Sequence, residues 1–321
     1  MITDSPVRGR FAPSPTGRMH FGNLFTALIS WLSAKKAGGR WVLRIEDLDP
    51  QRSRYEYARQ IEEDLHTLGL DWDEGGVDNI GSCGPYCQSQ RHDIYLHSLE
   101  TLRQSGLLYP CRCSRADLHA SSAPHASDGR FVYGGKCRPH DLPRVMTREE
   151  LQLPVALRLA VPQTTIEFTD MVFGHQSIDL ASEWGDFIVR RADKAWAYQF
   201  AVVVDDALMG ITEVVRGADL LSSSAPQIWL HRLLGYEPPQ FAHLPLICNS
   251  DGVRLSKRDA SLGMEALLAR YTPAEIIGNL AHIAGIISEP QPITPSELLP
   301  IFSSLSLAIP PTDTIITSSN Q

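Results

Sequence analysis

The sequence predicts an α/β protein with a doubly wound parallel sheet, interrupted by an inserted thiol-bearing module and followed by a small helical region. One observation is alternation from the first residues onward. An apolar strand ends at Arg10, and helical spacing of Leu24, Ala27, Leu28, Trp31 and Leu32 runs to the Gly38-Gly39 stop. A strand then covers Arg40 to Glu46, and a second helix carries Ala58, Ile61, Leu65 and Leu68 on one face up to Gly69. Strands separated by helices pair in parallel, with helices on the faces. A second observation is the return of strand character downstream. Phe187 to Arg191, Trp196 to Asp206 and Gly210 to Arg216 hold the most apolar sequence in the chain and should complete the sheet. The expected division is residues 1–105 for the first half of the core, 106–184 for the insertion, 185–240 for the second half and 241–321 for a helical C-terminal region with a frayed tail.

Composition narrows the class. With 321 residues and 43% apolar content the chain can bury a large core and form more than one domain. The balance of 29 basic and 37 acidic residues, a net charge of -8, excludes a surface coated with nucleic-acid-binding charge and leaves room for a local basic face. The longest apolar runs, such as Phe200 to Val204, are far too short to span a bilayer, and the N-terminus lacks a basic segment followed by an apolar one. A cytoplasmic protein is expected. Six cysteines at irregular spacing suit a metal site in a reducing compartment better than a disulfide framework. No internal repeat is apparent.

The first element leads into Arg10-Phe11-Ala12-Pro13-Ser14-Pro15-Thr16-Gly17, then His20-Phe21-Gly22-Asn23. Pro13 and Pro15 fix φ and remove two donors, so neither a sheet-interior strand nor a helix continues there. His20 and Gly22 then fall at a helix N-terminus, an end that attracts anions. Gly22 permits close approach of a planar ring, and His20 can donate to a phosphate oxygen, which makes the turn a nucleotide site. Asp49 before Pro50 reads as the cap of the second helix. Ligands of parallel sheets bind beyond the carboxyl ends of the strands, where Arg10 and Glu46 converge if their strands are neighbours.

A third helix, with Tyr95, Leu99 and Leu102 on its face, stops at Gly106. The chain then reaches Cys111-Arg112-Cys113 and, later, Cys137. Two cysteines one residue apart reach one zinc ion from a tight turn. Spacing alone offers His140, three residues after Cys137, as the fourth ligand. Cys83 and Cys87 flank Gly84-Pro85 and read as structural. Residues 120–130 read as a mobile loop, Val155 to Val161 and Thr165 to Asp170 as strands of the insertion, which ends near Trp184. Farther on, Thr272-Pro273 with Glu275 forms a capping box ahead of a helix burying Ile276, Ile277, Leu280, Ala281 and Ala284. From Ser288 charge nearly vanishes and Pro and Ser increase, so the last twenty or so residues are expected to pack loosely.

Taken together, these segments resemble a family. His20-Phe21-Gly22-Asn23 is similar to the first signature of class I aminoacyl-tRNA synthetases, and Arg10 to Gly17 resembles its glutamate-specific form. Arg254-Leu255-Ser256-Lys257-Arg258 resembles the lysine loop of that class, with only Ser256 and Lys257 matching cleanly. Arg44-Ile45-Glu46-Asp47 and Val215-Arg216-Gly217-Ala218-Asp219 resemble further glutamate-site segments, in the family's order. The resemblance implies a Rossmann-type catalytic core, activation of L-glutamate by ATP with magnesium, and His20 and Lys257 as the catalytic pair. It implies Arg10, Phe11, Ala12, Pro13, Ser14, Glu46, Tyr198 and Arg216 around glutamate, with Glu46 on its amino group. It implies His20, Gly22, Asn23, Ser256 and Lys257 around ATP. For magnesium the residues name no ligand beyond Asp205 or Asp206 as guesses. Short members of the family carry Cys-x-Cys followed by Tyr-x-x-x-Cys, matched here by Tyr133 to Cys137, which implies one zinc on Cys111, Cys113, Tyr133 and Cys137, with His140 in reserve. Because the chain ends soon after the lysine loop, it is similar to the short branch that passes glutamate to the queuosine base in the anticodon of tRNA(Asp). The insertion is then expected to bind the anticodon stem-loop, and the protein to act as a monomer. Two rival readings fit the same sequence: aminoacylation of the 3′ end of tRNA(Glu), and a non-catalytic zinc and RNA-binding role.

Overall fold

The computed structural model describes residues 6–113, 132–248 and 263–305 and the backbone of 314–316. The chain opens with β1 (Arg8–Phe11), α1 (Phe21–Lys36), β2 (Arg40–Leu43), α2 (Tyr55–Thr67), β3 (Glu74–Gly75) and α3 (His92–Gln104). The insertion follows as β4 (Leu108–Cys111), α4 (Arg148–Gln152), β5 (Ala156–Leu159), β6 (Thr165–Asp170), β7 (Gly174–Asp179) and β8 (Phe187–Arg190). Next come α5 (Tyr198–Leu208), β9 (Glu213–Gly217), α6 (Ser224–Leu233), β10 (Gln240–Leu244) and β11 (Leu246–Cys248), then α7 (Met264–Leu268), α8 (Pro273–Ile283), α9 (Pro295–Ile301) and β12 (Thr314–Ile316).

The central sheet is parallel throughout, in the order β10-β9-β1-β2-β3, so β1 lies in the middle with the first half of the chain on one side and the second half on the other. Ligand-binding crevices form where strand order reverses in this way. α1 is buried almost all round, as its apolar sequence dictates, between the sheet and the C-terminal helices. One sheet face and α7 to α9 share that core; the other face packs with α3, α5, α6 and the insertion in a second one.

Three expectations, for Asp49, Phe187–Arg190 and Trp196 to Asp206, need correction. Asp49 does not cap α2, whose N-cap is Arg54. Instead Asp49 closes a turn in which its carbonyl accepts from Arg52 and Ser53 at 3.2 and 2.9 Å and its Oδ1 from Gln51 at 3.1 Å. Phe187–Arg190 is a strand, but it pairs antiparallel with β5 in a sheet ordered β4-β5-β8 and not with the central sheet. The apolar run from Trp196 to Asp206 is mostly the helix α5. Phe200 to Val204 are buried on every side, so their hydrophobicity carries no period that separates helix from strand.

At the C-terminus the Thr272 capping box forms as anticipated, Glu275 N donating to Thr272 Oγ1 at 3.3 Å and Thr272 N to Glu275 Oε2 at 2.7 Å. Thr294 and Glu297 repeat it ahead of α9. Leu298, Phe302 and Leu305 are buried against α1's core, and β12 pairs in parallel with β11, so these parts of the tail are held and not loose. Among the described residues no helix is long and apolar enough to cross a membrane.

Candidate active site

A cavity of about 830 Å³ opens at the carboxyl ends of β1, β2 and β9. It gathers Arg10, Phe11, Ala12, Pro13, Ser14, His20, Gly22 and Asn23 from the first turn, Glu46 from beyond β2, Tyr198 from the start of α5 and Arg216 from β9. Every glutamate- and nucleotide-site residue named from the sequence therefore lines one space, apart from Ser256 and Lys257, which lie outside the described residues. Thr16, Gly17, Arg18, Met19 and Pro245 to Ile247 also line it. His20 caps α1, its backbone N–H donating to Asn23 Oδ1 at 3.3 Å. At Gly22 a Cβ would stand 3.3 Å from the His20 ring, so a larger residue would press on the imidazole.

Beneath the cavity lies a buried charge network. Arg44, with no exposed surface, contacts Asp206 Oδ1 at 2.6 Å and Glu46 Oε1 at 3.1 Å. Arg10 Nε is 3.5 Å from the same Asp206 oxygen, and Arg10 Nη1 donates to Val215 O at 3.2 Å. Asp205 is taken by Arg91 Nε at 2.6 Å, Gln88 Nε2 at 2.7 Å and Tyr95 Oη at 2.9 Å. Both aspartates are thus internal structural counterions, which removes them as magnesium ligands. Burial acts to raise the Asp206 carboxyl, but Arg44 and Arg10 outweigh it and hold the pKa below the ordinary value. Glu46 balances the other way. Burial raises its pKa although Arg44 and Arg10 pull it down, so a positive ligand group would complete its surroundings.

Arg216 is the complement of Glu46. It is 4% exposed and makes no ion pair among the described residues. Its partners are neutral: Nε donates to His243 Nε2 at 2.9 Å, Nη1 to Gln227 Oε1 at 2.8 Å, and Nη2 to Ser224 Oγ at 2.9 Å and Leu220 O at 3.2 Å. A buried guanidinium held by neutral acceptors at the wall of a cavity is a seat for an anion. Gln227, Ser224 and His243, which hold Arg216, are residues that the sequence did not point to; Asp206, named there only as a guessed magnesium ligand, instead holds Arg44 and Arg10.

The second cluster lies in the insertion. The Sγ atoms of Cys111, Cys113 and Cys137 lie within 4.8 Å of one another. Tyr133 Oη is 3.7 Å from Cys111 Sγ and 3.6 Å from Cys113 Sγ, and it accepts from the Cys137 backbone N–H at 2.7 Å. His140 is exposed and outside this group. Arg158 closes the cluster, its Nε 3.3 Å from Cys111 Sγ and its Cζ 3.9 Å from the centre of the Tyr133 ring. Burial would raise the Cys137 thiol, but hydrogen bonds from the Arg112 backbone and from its cluster neighbours bring it down to about 7.

The family model described as "tRNA synthetases class I (E and Q), catalytic domain" matches residues 6–282. A Symbiobacterium thermophilum protein named "Glutamyl-Q tRNA(Asp) synthetase" is 49% identical over 298 residues, covering 92% of this chain and 91% of its own. One of the same name from Nitratidesulfovibrio vulgaris is 45% identical over 307 residues, covering 95% and 94%. Among solved structures, a glutamate tRNA ligase from Elizabethkingia meningosepticum in complex with its amino acid superposes with a TM-score of 0.81 at 28% identity, across 97% of this chain and 67% of that one.

Proposed function

The chain belongs to the class I tRNA synthetases of the glutamate and glutamine branch, and on that basis we propose that it activates L-glutamate with ATP and transfers it to the queuosine base in the anticodon of tRNA(Asp). The observation that carries the amino-acid half is the pairing of Arg216, a buried cation without a carboxylate partner among the described residues, with Glu46, a largely enclosed carboxyl whose side chain is 10% exposed and whose pKa is raised, in one cavity. Glutamate supplies the missing charges: its ammonium meets Glu46, and its two carboxylates meet the Arg10 and Arg216 guanidiniums. Relatives of matching length named for the queuosine reaction support the acceptor.

Activation joins a glutamate α-carboxylate oxygen to the α-phosphorus of ATP as the bond to pyrophosphate breaks. An acceptor hydroxyl oxygen then attacks the glutamyl carbonyl and AMP leaves. Arg10, Glu46 and Arg216 hold the amino acid so that its nucleophilic oxygen is in place. His20, at the N-terminal end of α1, and Lys257 with Ser256 stabilise charge on the phosphates. Magnesium would accompany ATP and offset phosphate charge.

The three thiols and the Tyr133 phenol fit zinc in kind and spacing, since a tetrahedral ion with bonds of about 2.3 Å to sulfur needs ligands mutually about 3.5 to 4 Å apart. Zinc would cross-link β4 to the Tyr133–Cys137 turn, and the module beside it would grip the anticodon stem. One protein copy suffices in this reading.

The test offers purified protein, ATP and labelled glutamate to queuosine-containing tRNA(Asp), queuosine-free tRNA(Asp) and tRNA(Glu). Label is expected on the first only, on an isolated anticodon stem-loop nearly as well as on whole tRNA, and regardless of the 3′ CCA. Label confined to intact 3′ ends would assign the protein to aminoacylation instead.

A further inference from the structure

We propose that Asp170 and His243 form a relay that positions Arg216 and thereby sets the preference for glutamate over its amide; this rests on the glutamate reading above. β10 pairs with β9 so that His243 and Arg216 are register partners. Asp170, the last residue of β6, comes from the insertion and reaches the same edge. Its Oδ1 accepts from the backbone N–H groups of Val172 at 3.0 Å, Phe173 at 2.9 Å and His243 at 3.2 Å. Its Oδ2 lies 2.6 Å from His243 Nδ1. Asp170, His243 and Arg216 are 1%, 0% and 4% exposed, so nothing in solvent competes with these bonds.

The hydrogen bonds have one consistent direction. An ionised carboxylate can only accept, so the imidazole proton resides on Nδ1. Nε2 is left as an acceptor, and Arg216 Nε donates to it at 2.9 Å. Burial lowers the His243 pKa to about 4 despite the pull of Asp170, so the ring stays neutral at working pH. A charged imidazolium would repel Arg216; a ring with its proton on Nε2 would oppose two donors. With the neutral Nδ1–H form, Nε is pinned, Gln227 and Ser224 hold the two Nη atoms, and the Phe241 ring lies 5.0 Å from Cζ, so the guanidinium plane is set before the ligand arrives. Its positive charge stays directed at the cavity, where a carboxylate neutralises it and a glutamine amide does not.

The experiment combines Asp170→Asn and His243→Gln with pyrophosphate exchange. In Asp170→Asn the amide can donate to Nδ1 and drive the proton to Nε2, the wrong tautomer for Arg216. Its kcat/KM for glutamate should fall about tenfold or more through KM for glutamate, with KM for ATP within about twofold of the unmodified protein and with reduced discrimination against glutamine. In His243→Gln the side-chain oxygen still accepts from Nε, so the loss should be smaller than in His243→Leu, and adding Asp170→Asn should bring no further loss. Nitrogen NMR of the unmodified protein should find His243 protonated on Nδ1 and bare on Nε2, a readout independent of whether any variant folds. Protonation on Nε2, equal changes in both KM values, or independent, multiplying losses in the double variant would overturn the relay. Failure of the unmodified protein to exchange with glutamate would instead overturn the glutamate reading, while the tautomer continued to judge the relay.

Discussion

Glu46 shows how single residues here derive their chemistry from their neighbours. Its carboxyl has a raised pKa because burial outweighs Arg44 and Arg10. An ammonium ligand binds only the ionised form, so kcat/KM for glutamate should decline as pH falls through that raised pKa. Glu46→Gln should weaken glutamate by about 2 to 5 kcal/mol and flatten this limb of the pH profile, measured by glutamate-dependent pyrophosphate exchange at several pH values. A variant that keeps the wild-type slope would exclude Glu46 as the ammonium partner. Arg10, His20, Gly22, Glu46 and Arg216 were legible in the sequence because each sits in a run whose neighbours constrain it: prolines, a helix start, a strand end. Asp170 and His243 were not, and Asp206 stood out only as a guessed magnesium ligand and not as the counterion of Arg44 and Arg10. Each is a polar residue within or beside an apolar stretch, and its partner is remote in sequence, as with Asp170 and His243 at a separation of 73.

Among the elements, strands and helices with a clear period were readable, and those buried on all sides were not. α1, α2 and α8 follow from their apolar spacing and stops, whereas the sequence of α5 reads as a strand because Phe200 to Val204 expose no polar face. The sequence of β8 reads as a strand but does not say which sheet it joins, since pairing partners are a tertiary property that four residues do not encode. The C-terminal helices offer a test of packing. A Cβ at Gly278 of α8 would lie 1.9 Å from the Gln291 carbonyl oxygen, a backbone atom with no side-chain freedom to yield. Gly278→Ala should therefore destabilise the fold by about 1 to 3 kcal/mol even though alanine favours helix, and thermal unfolding should register it as a lower midpoint. No change in midpoint would mean that α8 and the segment at Gln291 can part without cost.

For the whole molecule, the insertion has the weaker apolar support around its thiols. Tyr109, Cys111, Tyr133 and Ala160 are the buried members of that small cluster, against the extensive cores on the two sheet faces. One zinc per chain should bind there, and a chelator should loosen the module while pyrophosphate exchange persists, because the cavity is built from other strands. Elemental analysis of Cys113→Ala and Cys137→Ala would contradict the site if zinc stayed stoichiometric, and zinc lost in His140→Ala but kept in Tyr133→Phe would transfer the fourth bond. The strand order has a consequence for synthesis. β1 is made first yet pairs on one flank with β9, joined by a hydrogen bond from Arg8 to Thr212 across 204 positions. At translation rates of about 5 to 20 residues per second, that flank waits roughly 10 to 40 seconds for its neighbour. Through this interval the nascent chain displays an open sheet edge beside an Arg10 that does not yet have Asp206, a template for mispairing until the second half emerges.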